Sequence, residues 1–167
     1  IHYENITGLI VTKIIKPNYF RLSGQLPDIG SKFNENEAAT IISNSAVKLT
    51  GAHSDLFNPQ EDSLNKLFTF KVFYQNEGNL EIEEAKTIEP LKLNGIITDE
   101  LQPPFAFIPE EFLDKKPPFY KKVLIKATSV DTIESLRDKL IEKGFLISAR
   151  IDLVKQATKV MKIITSV

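Results

Sequence analysis

Val123-Leu-Ile-Lys-Ala-Thr-Ser-Val-Asp131-Thr-Ile-Glu134-Ser-Leu-Arg-Asp-Lys-Leu-Ile-Glu-Lys-Gly144-Phe145-Leu-Ile-Ser-Ala-Arg-Ile151 is the stretch whose reading decides the fold. Its first five residues, with β-branched Val123 and Ile125, predict a strand. Asp131 is placed to cap a helix, and Glu134 three residues later completes a capping box. Ile133, Leu136, Leu140 and Ile141 recur at three- and four-residue spacing, which gives the helix one apolar stripe. Gly144 is placed to end it, because glycine takes the left-handed conformation that closes a helix without penalty. Residues 145–151 then return as a strand, so the whole reads as a β-α-β unit. Asp152 caps a last helix, 153–167, with Leu153, Ala157, Val160, Met161, Ile164 and Val167 on one side. That helix grows more apolar towards its end. It either docks on the domain or is the stalk of a membrane helix.

Upstream, residues 8–15 predict a strand closed by Pro17, and residues 39–43 a second. Asn44 is placed to cap a short helix that Gly51 would end. The middle is different. Leu67, Phe68, Phe70, Val72, Phe73 and Tyr74 make an aromatic strand, residues 76–79 a turn, and 80–84 a strand with Leu80 and Ile82 on its apolar face. Residues 91–97 and 105–108 predict two more strands. Apolar residues that alternate with charged ones imply antiparallel strands with one wet face. The expected class is therefore α+β, with a ferredoxin-like core. Phe68, Phe70, Phe73, Tyr74, Phe105 and Phe107 concentrate aromatic area in two segments. They either fill a core or form an apolar surface for a protein or ligand.

Composition narrows function. The 167 residues are 42% apolar and 26% charged, an ordinary soluble balance. A net charge of −1 gives no basic face for nucleic acid. Lys115, Lys116, Lys121 and Lys122 are the densest cations, but Pro117 and Pro118 interrupt them as a solvated loop. With no cysteine, thiol catalysis, disulfides and thiolate metal sites are excluded. No apolar run approaches the ~18 residues of a membrane span. The start, Ile1-His2-Tyr3, has no signal-peptide character and no initiating Met, as expected of a piece of a longer chain.

Candidate chemistry is sparse. His2 lies beside the terminus, and His53, in Gly51-Ala52-His53-Ser54-Asp55, reads as a surface histidine. A hydrolase would need His53 to converge with carboxylates in one pocket. Glu81, Glu83 and Glu84 read as the wet side of a strand, and Glu35, Glu37, Glu110 and Glu111 lie by element starts. Asp99-Glu100 is the acidic pair most open to a divalent ion and reads as a surface turn. The isolated glycines build no phosphate-cradling loop. No catalytic residue, metal site or cofactor is expected.

The C-terminal quotation, with Ile147-Ser-Ala-Arg-Ile-Asp152-Leu-Val-Lys-Gln156, resembles the end of the extracytoplasmic domain of MacB/FtsX-type ABC transporter permeases. Lys16-Pro17-Asn18-Tyr19-Phe20 resembles that family's Pro-x-Tyr-Phe turn, and Ile29-Gly30-Ser31-Lys32-Phe33 its Gly-x-x-Phe segment. Residues 38–51 resemble its strand, helix and Leu-x-Gly. Gly95-Ile96-Ile97 and Phe107-Ile108-Pro109 resemble the ends of two further strands. The family's opening strand and helix, and its Gly-x-x-(Ile/Val) motif within 54–66, have no counterpart here. The resemblance implies a porter-like βαβ base interrupted by a mostly antiparallel β subdomain. Residues 1–53 would be the first part of the base, 54–104 the insert and 105–152 the remainder. The helix 153–167 would lead to a transmembrane segment, with Asp152, Leu153, Ala157, Val160, Met161 and Ile164 as its coupling residues. It further implies a non-enzymatic role outside the cell membrane, a cytoplasmic ATPase subunit and a second permease copy as partners. The other expected ligand is an outer protein partner or an exported peptide, lipid or drug-like substrate. The alternative reading is a free-standing protein- or peptide-binding module.

Overall fold

A computed structural model describes residues 1–3, 6–34, 36–45, 63–75, 78, 81–99, 101–118 and 122–147. In chain order the elements are β1 (His2–Tyr3), β2 (Ile6–Thr7), β3 (Val11–Ile15), α1 (Tyr19–Ser23), β4 (Ile29–Gly30), β5 (Ala39–Ser43) and β6 (Leu67–Phe68). They continue with β7 (Lys71–Gln75), β8 (Ile82–Lys86), β9 (Leu91–Ile97), β10 (Phe105–Pro109), a 3-10 turn (Glu110–Phe112) and α2 (Val130–Glu142). The chain divides into two units, Ile1–Leu124 and Ile125–Val167. The fold is α+β, as expected. The expectation of antiparallel strands with one wet face is corrected for residues 91–97 and 105–109: β9 and β10 each have a parallel partner, and β10 is buried throughout because both faces of its sheet are covered.

In the first unit a mixed sheet runs β3-β10-β5-β9-β4, with β6 also on β9. β3 and β10 are parallel, as are β5 and β9, while β10 and β5 are antiparallel. All five residues of β5 and of β10 are buried. A strand can be buried throughout only if both faces of its sheet are covered. Ile42, Leu91, Leu93, Ile96, Ala106 and Ile108 pack on one face with Phe68, Phe70 and Val72. Ala39, Ile41, Phe105 and Phe107 pack on the other, under Phe20 and Phe33. The two-residue period of a strand sorts neighbours such as Ile41 and Ile42 to opposite cores.

Leu91, Leu93 and Ile96 break that period, yet all face one core. The pairing of β5 with β9 explains this: Thr40 opposes Leu93 and Ile41 opposes Gly95, so Asn94 is an extra residue, a bulge that inverts the parity. Close approach here requires glycine twice. At Gly30, with φ +81°, a Cβ would collide with the Asn94 carbonyl oxygen. At Gly95 it would lie 2.7 Å from Pro27 Cβ.

The hairpin β7–β8 covers the first core. Its register is unbroken from Lys71 opposite Lys86 to Gln75 opposite Ile82. Val72 and Ala85 point inward and are buried, whereas Ile82 is 66% exposed. The expected apolar face of β8 is thus corrected: Ala85 supplies the buried side, and Ile82 shares the opposite parity and faces water. β9, expected within the inserted segment, runs through the main sheet, so within that segment the antiparallel pair that stands apart is β7–β8; β1 and β2 form another such pair near the start.

In the second unit the cap is Ser129 rather than Asp131. Its Oγ accepts from the Thr132 amide at 3.2 Å, and Asp131 falls in the first helical turn, where negative charge is favourable. The helix ends as expected. Gly144, at φ +85°, donates to Ile141 O at 2.9 Å and Phe145 donates to Leu140 O at 3.1 Å, the paired bonds of a Schellman ending. The flanking strands are corrected: residues 123–127 and 145–147 form no strand among the described residues. β-branched composition favours an extended chain but supplies no hydrogen-bonding neighbour, and pairing is what makes a strand. Residues 148–151 lie outside the described residues, as do His53 and the coupling positions Asp152, Leu153, Ala157, Val160, Met161 and Ile164.

Candidate interaction surface

The six aromatic candidates do not assemble into one surface. Phe68 and Phe70 are buried in the core under the hairpin, and Phe105 and Phe107 in the core on the other face of the sheet. Those four are corrected to core. Phe105 and Phe107 stack edge-on at 5.7 Å, and Phe107 meets the Phe20 ring at 5.3 Å, geometry that suits the aromatic quadrupole. Tyr74 is half-buried, and its hydroxyl donates to Lys115 O at 3.2 Å. Burial, then the nearby Asp114 and Glu110 carboxylates, hold its phenol above the usual range. Phe73 alone faces water, at 60% exposure.

Around Phe73 the hairpin presents a flat outer face. Lys71, Phe73 and Gln75 stand opposite Lys86, Glu84 and Ile82. Lys86 Nζ is 3.3 Å from Glu84 Oε1, an exposed ion pair that adds little stability. Two lysines opposite one another cost rather than add stability. This face therefore combines an apolar pair, Phe73 and Ile82, with cationic residues at one end. Sequence reasoning found Phe73. It missed Ile82 as a surface residue, although the signal was there: Ala85, the only small apolar residue of β8, has the opposite parity.

Elsewhere a concavity of about 280 Å³ is polar. Glu37 lines it, where Oε2 accepts from the Asn34 amide at 2.9 Å and Oε1 accepts from Asn94 Nδ2 at 2.8 Å, with Lys92 Nζ at 3.4 Å. The Asn34 amide first, then Asn94, lower its pKa below the usual carboxylate range, and partial burial opposes them. A carboxylate so occupied organises the loop onto the bulge at Asn94 and is a poor proton acceptor. Asp99 is similarly used. Its Oδ1 accepts from Leu101 N and Gln102 N and its Oδ2 from Gln102 Nε2, which closes a turn; Glu100, its neighbour in the expected acidic pair, lies outside the described residues. No group of three or more His, Asp or Glu that could hold a metal ion occurs among the described residues.

No known family model, curated protein or solved structure matches the chain. The remaining electrostatic features join strands. Lys16 Nζ meets Glu110 Oε1 at 2.8 Å, extending the register of β3 and β10 by one residue. Lys13 Nζ lies 3.8 Å above the Phe105 ring and donates to Gln102 Oε1 at 3.1 Å. Burial first, then Lys122, lower its pKa, while Asp99 works against them. Among the described residues, apolar side chains and a free strand edge coincide on the outer face of β7–β8, and also at the start of β3, where Val11 is exposed.

Proposed function

We propose that this chain is an extracytoplasmic domain of a MacB/FtsX-type ABC transporter permease, and that it passes ATP-driven movement to an exported substrate or an outer partner protein. One observation carries the reading. The segments that resemble the family make up consecutive parts of one sheet: Lys16-Pro17-Asn18-Tyr19-Phe20 leads β3 into α1, and Ile29-Gly30 is β4. Ala39–Ser43 is β5, Gly95-Ile96-Ile97 ends β9, and Phe107-Ile108-Pro109 ends β10. A sheet packed on both faces is suited to move as a body, because close-packed cores transmit displacement rather than absorb it. The chemistry would belong to an ATPase subunit on the other side of the membrane. In this reading residues 153–167, which lie outside the described residues, would couple the domain to the membrane through Asp152, Leu153, Ala157, Val160, Met161 and Ile164.

These 167 residues contain no cysteine. In the full-length protein, with any cysteine elsewhere replaced by serine and reconstituted with its ATPase, Glu89→Cys carries one spin label per copy at an exposed position. The label-to-label distance should differ between nucleotide-free and vanadate-trapped states. An unchanged distance, or a gene in which no apolar segment of ~20 residues begins near Met161, overturns the reading. The exposed Phe73 and Ile82 favour a second reading, a free-standing protein-binding module, which the same gene sequence would separate from the first.

A further inference from the structure

We propose that the outer edge of β7 pairs, antiparallel, with the same edge of a second copy of this chain, bringing the two Phe73 side chains together on the solvent face. The hydrogen-bond parity of the hairpin sets the geometry. Thr87 N donates to Phe70 O, so in this register Val72 and Tyr74 turn their backbone groups towards β8. Lys71, Phe73 and Gln75 then turn theirs outward. The same parity holds on β8, where the outward Lys86 amide donates to Asp114 Oδ1 and Lys86 O accepts from Asp114 N. The outer side of β8 is thus occupied at Lys86, whereas no strand pairs with the outer side of β7 among the described residues.

Exposed strand edges are commonly guarded by a bulge, a proline or a central lysine. β3, at the margin of the main sheet, has Lys13 at its centre and Pro17 just beyond. β7 has an unbroken register and Phe73 at its centre. Its pattern is also self-complementary. About a two-fold axis at Phe73, Lys71 of each copy falls opposite Gln75 of the other, an ammonium against an amide. The protein already makes this pairing between Lys13 and Gln102 at 3.1 Å. No like charges meet across the new ladder in this register. The pairing concerns this edge alone and does not rest on the transporter reading.

Two measurements test it on the 167-residue chain. Paired across the axis, the two Phe73 Cα atoms would lie about 5.5 Å apart, within the span of a disulfide. Phe73→Cys should therefore cross-link between copies under mild oxidation at least about ten-fold faster than Ile88→Cys, an equally exposed site on the following turn. Sedimentation equilibrium should show a dimer that Gln75→Lys weakens about ten-fold, by setting lysines opposite Lys71, and that adding Lys71→Glu restores. Equal cross-linking rates, or a wild-type chain that stays monomeric at millimolar concentration, overturn the pairing. A dimer indifferent to both charge changes overturns it as well.

Discussion

β10 and β7 are both five-residue strands rich in aromatics, Phe105-Ala-Phe-Ile-Pro109 and Lys71-Val-Phe-Tyr-Gln75, yet every residue of β10 is buried and only Val72 of β7 is. The difference comes from neighbours. β10 lies between β3 and β5 with a core on each face, whereas β7 has one strand beside it and one core beneath. Phe107 and Phe73 are the same residue at the centre of each strand, with opposite energetic roles. An aromatic strand records the number of surfaces laid against it rather than any affinity of its own.

The comparison can be broken most sharply at Phe107. Phe107→Ala should cost about 3–5 kcal/mol in urea unfolding, from lost burial and the cavity left beneath Tyr19 and Phe20. A loss under 1 kcal/mol would mean that this face is not a packed core. The backbone of β10 is held by Ser43, whose Oγ accepts from the buried Phe105 amide at 3.0 Å. Ser43→Ala should cost about 1–2 kcal/mol, since a buried donor loses its acceptor. Glu37 refines the picture outside the core. Its folded pKa is depressed, so it adds stability above the ordinary carboxylate range, about pH 4–5, and loses it as pH falls through the lowered value. Thermal unfolding of Glu37→Gln should therefore lie below wild type at neutral pH and converge with it in acid. The smallest effect belongs to β7: Phe73→Ser should change the stability of the monomer by less than about 0.5 kcal/mol. A large loss there would show that the hairpin's outer face is covered within one chain.

Much of the fold was legible where one local rule acts alone. Gly144 ended its helix because a left-handed residue is needed there, and residues 39–43 formed a strand because Ile41 and Ile42 are β-branched between small residues. The cap was displaced to Ser129 because Asp131, two residues on, is an equally good first-turn residue, and sequence alone cannot rank two adjacent candidates. Ile82 misled because apolar alternation says which residues share a face but not which face the core will meet. The bulge at Asn94 had no local signal. It follows from β9 being pinned on one side by β5 and on the other by Gly30. The candidate surface was half legible for the same reason: composition flagged six aromatics, and only tertiary neighbours could separate Phe73 from the buried four.

The parallel pairing of residues 11–15 with residues 105–109 has a temporal side. β3 leaves the ribosome roughly 90 residues ahead of β10, its strand partner among the described residues, which at ~5–20 residues per second is a wait of several seconds or more. Closing so long a loop also raises the contact order and slows refolding relative to a helical domain of this size. During that interval Ile14 and Ile15 are exposed to whatever else is nearby. Lys13 and Pro17, on either side of them, then serve as protection for a nascent strand before they serve the finished sheet.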